Sequence, residues 1–231
     1  MIRQFAFDLG ASESYRAADF FTSDANATAY AQVMGGHWPG RRLLLIGPSG
    51  AGKSHLAHIW ADIAQAQILT ASDLGSVALV AVVGAVVVED AQDLAGKPAA
   101  EEALFHLWNR VAGDLLITAK DPPRDWGLRL PDLFSRMQSL AIARLTPPDD
   151  ALLAAVLVKL FADRQVEVQP NLIAFLVARM ERSVAAARAV VAALDARALA
   201  LGRPITRGMA ADLLGAPPQT TGPDLDSGGP G

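Results

Sequence analysis

Residues 42 to 54 read Arg-Leu-Leu-Leu-Ile-Gly-Pro-Ser-Gly-Ala-Gly-Lys-Ser. The apolar start predicts a buried strand, and the remainder has the spacing G-x-x-x-x-G-K-S of a P-loop. Glycines let successive backbone N–H groups turn inward around a phosphate, because they accept backbone angles that a Cβ atom disfavours. The segment predicts a nucleotide site formed by Gly47, Pro48, Ser49, Gly50, Ala51, Gly52, Lys53, Ser54 and His55.

The P-loop is followed by a predicted helix. Lys53 brings a positive charge to the β- and γ-phosphates, Ser54 offers a hydroxyl to Mg²⁺, and the helix directs its positive dipole end at the same anion. Helical spacing predicts one apolar face that packs on the sheet, made of Leu56, Ile59, Trp60 and Ile63. Ahead of the P-loop strand, residues 15–36 predict a capped helix that could wall a nucleotide base.

Two acids, Glu89 and Asp90, end the apolar run at 85–88. A continuous apolar run is typical of a strand buried in a parallel sheet, and ligands gather at the carboxyl ends of such strands. We expect one acid to hold Mg²⁺ and its neighbour to orient an attacking water. The alternative is a strand that ends in solvated acids.

The remaining patterns predict an α/β protein with a five-stranded parallel sheet and a small all-α domain. Further strands are predicted at 67–70, 115–118 and 139–143, and a helix at 98–112. After Pro147-Pro148 only helices follow, at 149–164, 170–179, 184–201 and 206–214. The predicted divisions are an arm at 1–14, a nucleotide-binding domain at 15–146, a helical domain at 147–215 and a tail at 216–231 that is disordered by composition.

Composition limits the functional classes. The chain has 231 residues, 52% of them hydrophobic and 19% charged, a net charge of −4 and no cysteine. These values predict a globular protein without disulfides and without an overall attraction to nucleic acid or anionic membranes. The longest apolar run, 77–88, is shorter than the roughly 18 residues of a membrane span, and no signal peptide is recognisable, so we expect a cytoplasmic protein.

Three features keep two interpretations each. Residues 4–9, Gln-Phe-Ala-Phe-Asp-Leu, alternate apolar with other residues and predict either an edge strand or loose arm, or a peptide that docks in another protein's groove. Thr118, at the end of a strand, either contacts the γ-phosphate or its water, or has no such role. Arg136, at the end of a short helix, is either a surface charge or a contact to a phosphate on a neighbouring subunit.

Four segments together carry a family resemblance. They are GPSGAGKSHL at 47–56, VVVEDAQDL at 86–94, LLITAKDPPRDW at 115–126 and LPDLFSRM at 130–137. The combination resembles the AAA+ ATPase domain of the bacterial replication initiator DnaA, and in particular the Hda-type paralogues that inactivate the initiator. The resemblance spans about residues 4 to 214 and implies an AAA+ P-loop NTPase whose helical domain is a lid.

The resemblance also implies roles for individual residues. Arg136 matches the arginine finger, which acts on ATP bound by a partner subunit, Thr118 matches sensor 1, and Asp90 joins them as a catalytic residue. The arm matches the motif that binds the DNA polymerase sliding clamp, with Gln4, Phe5, Phe7 and Leu9 as anchors. Two positions depart from the family pattern. Glu89 stands where Asp is usual, and Ala185 stands where the sensor 2 Arg is expected, with Arg182 and Arg188 beside it; Arg182 is our candidate for nucleotide contact.

These implications define the expected function. The chain would be an ADP- or ATP-bound regulator, with Mg²⁺, that binds the clamp and stimulates hydrolysis of DnaA-bound ATP, and it would not be an efficient ATPase itself. The expected partners are the sliding clamp, the AAA+ domain of DnaA and a further copy of the chain in a homo-oligomer. Sequence-specific DNA binding is not expected, because only a Gly/Pro-rich tail follows Leu214. The alternatives are an autonomous AAA+ ATPase, such as a truncated initiator or loader-type protein, and a small-molecule P-loop kinase.

Overall fold

The computed structural model describes residues 17, 20–76 and 82–215. The predicted clamp-binding residues Gln4, Phe5, Phe7 and Leu9 and the predicted tail at 216–231 lie outside the described residues, as does part of the apolar run at 77–88. Among the described helices, none combines the length and apolarity needed to cross a membrane.

The centre of the molecule is a five-stranded parallel sheet, as the sequence predicts. The strands are β1 (Arg42–Ile46), β2 (Gln67–Thr70), β3 (Val86–Glu89), β4 (Leu115–Ala119) and β5 (Ala141–Arg144). Their spatial order is β2-β3-β4-β1-β5, so β1 lies between β4 and β5, with Leu44 opposite Ile117 on one side and Ile142 on the other. Because the P-loop continues directly from β1, it emerges at the sheet's carboxyl edge, one strand in from β5.

Helices cover both faces of the sheet. They are α1 (Ala27–Gly35), α2 (Lys53–Ala64), α3 (Pro98–Arg110) and α4 (Pro131–Gln138). Alternate strand residues point to opposite faces, so Leu44 and Ile117 pack with α3 and α4, whereas Leu45 and Leu116 pack with α1 and α2. Both faces of the three inner strands, β3, β4 and β1, are buried, which explains why their sequences are nearly continuous apolar runs.

The predicted packing face of α2 is correct for three of its four residues. Leu56, Ile59 and Trp60 are buried against the sheet. Ile63, in the last turn of the helix, is 70% exposed, so the packed face ends about one turn before the helix does.

The four described helices that follow β5 form a separate helical domain with its own core. It contains α5 (Asp150–Asp163), α6 (Pro170–Val177), α7 (Val184–Leu201) and α8 (Arg207–Leu214). The side chain of Asp149 accepts a hydrogen bond from the Leu152 N–H at 2.7 Å, and Thr206 caps α8 in the same way. The hydrogen bond from Leu152 also lowers the pKa of Asp149, because it favours the ionised carboxylate. The helices enclose one apolar cluster that includes Leu153, Leu157, Phe161, Leu176, Val191 and Leu194.

A close backbone contact joins the turns that lead into β3 and β4. A Cβ atom on Gly113 would lie 2.2 Å from the Gly84 carbonyl oxygen and 2.7 Å from the Ala85 nitrogen. We expect Gly113→Ala to lower the free energy of unfolding by about 1–3 kcal/mol, because main chain must move to make room. Denaturant unfolding measures the change. The control is Gly35→Ala in α1, where a Cβ meets nothing within 4 Å; alanine there should be neutral or stabilising by up to about 1 kcal/mol. Equal effects of the two substitutions would contradict the packing argument.

Candidate functional site

A cavity of about 790 Å³ lies where the P-loop meets the helical domain. Three parts of the chain form its walls: residues 20–26 ahead of α1, the P-loop with the turns after β3 and β4, and helices α5 and α7. A cavity of this size is typical of a small-molecule or cofactor site. It lies at the carboxyl edge of the parallel sheet, where ligands of open α/β sheets bind.

Most of the predicted nucleotide-binding residues line this cavity. Those that do are Ser49, Gly50, Ala51, Gly52, Lys53, Ser54 and His55. Gly47 and Pro48 do not line it, but their carbonyl groups accept hydrogen bonds from the Lys53 Nζ at 2.8 and 3.0 Å. Helix α2 begins at Lys53, so its first N–H groups and its positive dipole end face the cavity. The arrangement is suited to an anion.

Lys53 is the most buried cation of the site, with 8% of its surface exposed. Burial lowers the pKa of its ammonium, while the nearby Asp90 carboxylate acts in the opposite direction. The two carbonyl bonds compensate for the water that the ammonium loses. Lys53 is therefore held at the P-loop in an ordered position.

The helical domain contacts the P-loop through Gly50. The N–H of Val184 donates to the Gly50 carbonyl oxygen at 3.0 Å, and a Cβ atom on Gly50 would lie 2.5 Å from the Ser183 Cβ. Ser183 is buried and its hydroxyl caps α7 by accepting from the Ala186 N–H at 3.0 Å. The first turn of α7 therefore rests directly on the P-loop, and the helical domain is a lid over the cavity.

The two acids after β3 have different surroundings. Asp90 lines the cavity, whereas Glu89 does not. The Glu89 Oε2 lies 3.5 Å from the His58 Nε2, and its Oε1 is buried with no hydrogen-bond partner in the described part of the chain. Among the three predicted Mg²⁺ ligands, Ser54 and Asp90 thus share the cavity; Glu89 does not line it, but its charge still acts against the burial that lowers the pKa of Lys53.

The donor set at the cavity fits Mg²⁺ in a nucleotide site. Such an ion keeps several waters and takes one or two protein oxygens in addition to phosphate oxygens. The Ser54 hydroxyl and the Asp90 carboxylate supply oxygens of this kind at one wall. Within the described ranges there is no cluster of three or more His, Cys, Asp or Glu side chains able to hold a metal without such help.

Thr118 acts on the backbone next to Asp90. Its hydroxyl is buried and accepts a hydrogen bond from the Asp90 N–H at 3.1 Å. Asp90 has a φ of 54°, a left-handed conformation that costs free energy in a non-glycine residue. Thr118 itself does not line the cavity, so the structure places it one contact away, where it holds the turn that presents Asp90.

Arg182 is not brought to the cavity. Its guanidinium donates to the Asp150 Oδ1 at 2.6 Å, at the outer side of the lid. Arg188, further along α7, lines the cavity instead, and so does Ala185, the position at which the family resemblance places the sensor 2 Arg. Arg182 and Arg188 stand on either side of Ala185 in the sequence, and the sequence does not show which of them faces the cavity. The structure does: Arg188 lies within α7, which begins at Val184, whereas Arg182 precedes this helix.

Two further wall residues, Phe20 and Lys120, have no individual signal in the sequence. Phe20 stacks on Tyr30 with ring centroids 5.5 Å apart and meets His55 edge-on at 5.3 Å. This aromatic group forms part of the wall that the sequence predicts ahead of β1. Lys120 follows β4 and lies close enough to Lys53 to oppose its protonation.

Arg136 lies apart from the cavity. It is in the last turn of α4, is partly exposed, and its guanidinium carbon lies 5.1 Å from the ring centroid of Phe105 and 6.0 Å from that of Trp108. No carboxylate of a described residue forms an ion pair with it. The guanidinium is therefore held on two aromatic rings of α3, at a distance from the nucleotide site of its own chain.

A five-stranded parallel sheet, a P-loop between β1 and α2, and a helical lid over the resulting cavity define the AAA+ class of P-loop NTPases. Comparison with solved structures agrees on this fold. Domain III of the replication initiation protein DnaA from Thermotoga maritima superposes with a TM-score of 0.74 at 20% identity, covering 87% of this chain and 95% of that one. AMPPCP-bound DnaA from Aquifex aeolicus gives a TM-score of 0.65 at 17% identity, covering 78% and 65%.

Comparison with curated proteins also finds similarity to DnaA. The chain is 24% identical over 203 residues to the chromosomal replication initiator protein DnaA of Cutibacterium acnes, covering 78% of this chain and 39% of that protein. It is 27% identical over 134 residues to DnaA of Thermomicrobium roseum, covering 55% and 28%. The chain thus spans well under half the length of these relatives. No protein-family model matches it. The curated relatives are thus DnaA proteins matched over part of their length, and the solved structure that is covered to 95% is domain III of DnaA.

The contact between Gly50 and Ser183 predicts how the lid responds to a substitution in the P-loop. We expect Gly50→Ala to raise the hydrogen-exchange rate of the Val184 amide about tenfold or more, because the added methyl separates Val184 from its acceptor. Hydrogen exchange followed by mass spectrometry measures it. Gly36→Ala is the matched control, since Gly36 has a similar φ of 66° against 72° for Gly50, but open space around it. Exchange at Val184 that stays unchanged in Gly50→Ala would show that the lid does not depend on this contact.

Proposed function

We propose that this chain is a nucleotide-bound AAA+ regulator of DNA replication initiation, of the Hda type. It would bind the sliding clamp through residues 4–9 and stimulate hydrolysis of ATP held by DnaA. One observation carries the proposal: Arg136 is held on the Phe105 and Trp108 rings and lies outside its own chain's cavity. A guanidinium in that place can serve a nucleotide held by another molecule.

The cavity supports ADP or ATP as the bound nucleotide. The P-loop amides, the dipole of α2 and Lys53 would hold the phosphates. Phe20 and His55 offer aromatic surface for the base, and Arg188 offers a cation from the lid. Ser54 and Asp90 would hold Mg²⁺, which supplies charge neutralisation at the phosphates.

Two features favour a regulator over an efficient ATPase. Glu89 does not line the cavity and its Oε2 lies 3.5 Å from the His58 Nε2, so in this proposal it does not act on a water at the phosphates. Ala185 presents only a methyl group at the cavity wall, where the family resemblance expects an Arg. Nucleotide binding needs neither group, whereas hydrolysis depends on charge at the transferred phosphoryl group. In this proposal the bound nucleotide holds the P-loop and the lid together.

Arg136 suits the role of an arginine finger. A guanidinium is permanently charged, planar and able to donate two parallel hydrogen bonds to phosphate oxygens. Contact with two aromatic rings restricts its rotamers before any partner arrives, which reduces the entropy cost of docking. The partner in the proposal is the AAA+ domain of DnaA with ATP bound.

The arm supplies the second partner. Gln4, Phe5, Phe7 and Leu9 combine a side-chain amide with three apolar side chains in a six-residue segment. An extended peptide of this type binds in a groove with its main chain fixed and alternate side chains in pockets. Docking on the clamp would concentrate the regulator where replication has started.

An autonomous AAA+ ATPase is the second candidate, because Asp90 lines the chain's own cavity and Thr118 holds the backbone of Asp90 in place. This candidate requires that the purified chain turns over ATP and that Lys53→Ala abolishes the turnover.

The proposal predicts that two functions can be removed separately. We expect Arg136→Ala to reduce stimulation of DnaA ATP hydrolysis about a hundredfold or more, because the variant lacks the cation at the transition state. Retention on immobilised sliding clamp should be unchanged. Gln4→Ala should instead lose retention on the clamp, because the arm then lacks its amide anchor. Single-turnover hydrolysis of radiolabelled ATP on DnaA and a clamp pull-down measure the two. Normal stimulation by Arg136→Ala would remove the mechanism.

The lid arginines predict a difference in nucleotide affinity. Arg188→Ala should weaken ADP and ATP binding about five- to tenfold, because it removes one charge-assisted hydrogen bond to the phosphates. Arg182→Ala should change the affinity less than about twofold, because its side chain pairs with Asp150 outside the cavity. Isothermal titration calorimetry compares the two variants, which remove the same charge from the same part of the lid. A greater weakening with Arg182→Ala would reverse the assignment.

A further inference from the structure

Glu101 is a carboxylate buried in α3, with 1% of its surface exposed. Its Oε1 accepts a hydrogen bond from the Gly96 N–H at 3.1 Å, and its Oε2 accepts from the N–H groups of Arg129 and Leu130 at 2.9 and 2.8 Å. All three donors are backbone amides. A buried carboxylate needs such donors, because burial without them is costly. The side chain is therefore committed to fixing two segments of main chain.

The first segment is the start of α4. Leu130 is the residue before the helix, and no side chain of its own caps the helix. Glu101 replaces a local cap by holding the amides of Arg129 and Leu130 from a neighbouring helix. The connection before it contains Gly127 with a φ of 79° and two prolines. The position at which α4 begins therefore depends on a long-range contact.

The second segment is the loop after the nucleotide-site acid. Asp90 is followed by the 3₁₀ turn Ala91–Leu94, and Gly96 comes two residues later, just before α3. One carboxylate thus binds both the loop that leads away from Asp90 and the residue that starts α4.

Helix α3 also contacts the last turn of α4. Phe105 and Trp108, one and two turns after Glu101, lie under the guanidinium of Arg136 in the last turn of α4. Glu101 binds the main chain at the start of α4, and the Phe105 and Trp108 rings contact the Arg136 side chain from its last turn. The placement of Arg136 therefore rests on one face of α3.

We propose that Glu101 is a positioning residue for Arg136, an inference that rests on the proposed function of Arg136 as a donor to a partner's nucleotide. Glu101 does not reach the surface and touches no ligand. It acts by holding α4 in the register at which the guanidinium lies over Phe105 and Trp108. Displacement of a catalytic group by about 1 Å can lower a rate by about a hundredfold, so removal of this support should be visible in the maximal rate.

The structural half of the proposal is tested by hydrogen exchange on the full chain. Glu101→Ala should raise exchange at Arg129 and Leu130 and across α4 about tenfold or more, because their acceptor is removed. Glu101→Gln keeps one oxygen for Arg129 and Leu130 but offers an NH₂ group to the Gly96 N–H, so it should retain most of the protection. Glu102→Ala is the matched control, since Glu102 is the exposed neighbour on the same helix. Unchanged exchange in Glu101→Ala would overturn the proposal.

The functional half of the test measures two quantities for each variant: the maximal stimulation of DnaA ATP hydrolysis, and the concentration of the variant that gives half of that maximum. Glu101→Ala should lower the maximum about ten- to a hundredfold and leave the half-saturating concentration within about twofold, and Glu101→Gln should lower the maximum only about threefold. Arg136→Ala is run in parallel. If Arg136→Ala has no effect, the proposed function fails, while the exchange data still report on α4. If Arg136→Ala abolishes stimulation but Glu101→Ala and Glu101→Gln both match wild type, the positioning role is wrong. If Glu101→Ala does not fold, Glu101→Gln decides between a reduced and a normal maximum.

Discussion

The cavity has a wall on the lid side because the lid can approach the P-loop at Gly50. Ser183 occupies the space that a side chain at this position would fill, and the Val184 N–H donates to the Gly50 carbonyl oxygen. This contact brings α7 over the loop that follows β1. The aromatic residues ahead of α1, the turn after β3 and the lid then surround one volume, although they are far apart in the sequence.

Helix α3 connects that site to the outer surface of the molecule. At its C-terminal end, Arg42, the first residue of β1, donates to the carbonyl groups of Trp108, Val111 and Gly113, and burial lowers the pKa of this guanidinium. The Trp108 ring lies within 5.5 Å of the Arg42 guanidinium carbon and within 6.0 Å of that of Arg136. The strand that leads into the P-loop and the exposed arginine are therefore anchored on the same helix.

Local sequence patterns were sufficient for the presence of the five strands, the P-loop and the starts of the lid helices, although β5 begins at Ala141 and α6 ends at Val177 instead of the predicted 139 and 179. Each depends on neighbours in the chain: an apolar run makes a buried strand, and Asp149 or Thr206 caps the helix that directly follows it. The walls of the cavity depend on tertiary placement and could not be obtained in this way. Arg182 and Arg188 look equivalent in the sequence, but Asp150 binds Arg182 at the outside of the lid. The acids at the end of β3 show the same limit, because Glu89 lies beside His58 on α2 and does not line the cavity, and no spacing rule records that contact. The predicted arm and tail lie outside the described residues, so their interpretation still rests on the sequence.

The hydrogen bonds of Lys53 have a consequence for selectivity. Its ammonium already has two carbonyl partners, those of Gly47 and Pro48. An incoming phosphate oxygen competes with these carbonyls, so the net stabilisation at this atom is the difference between two sets of bonds. Much of the discrimination between ligands must then come from the parts of the ligand that contact the aromatic wall and the lid. A small anion that contacts neither the aromatic wall nor the lid would be held only by the P-loop amides, the dipole of α2 and this small net stabilisation at Lys53.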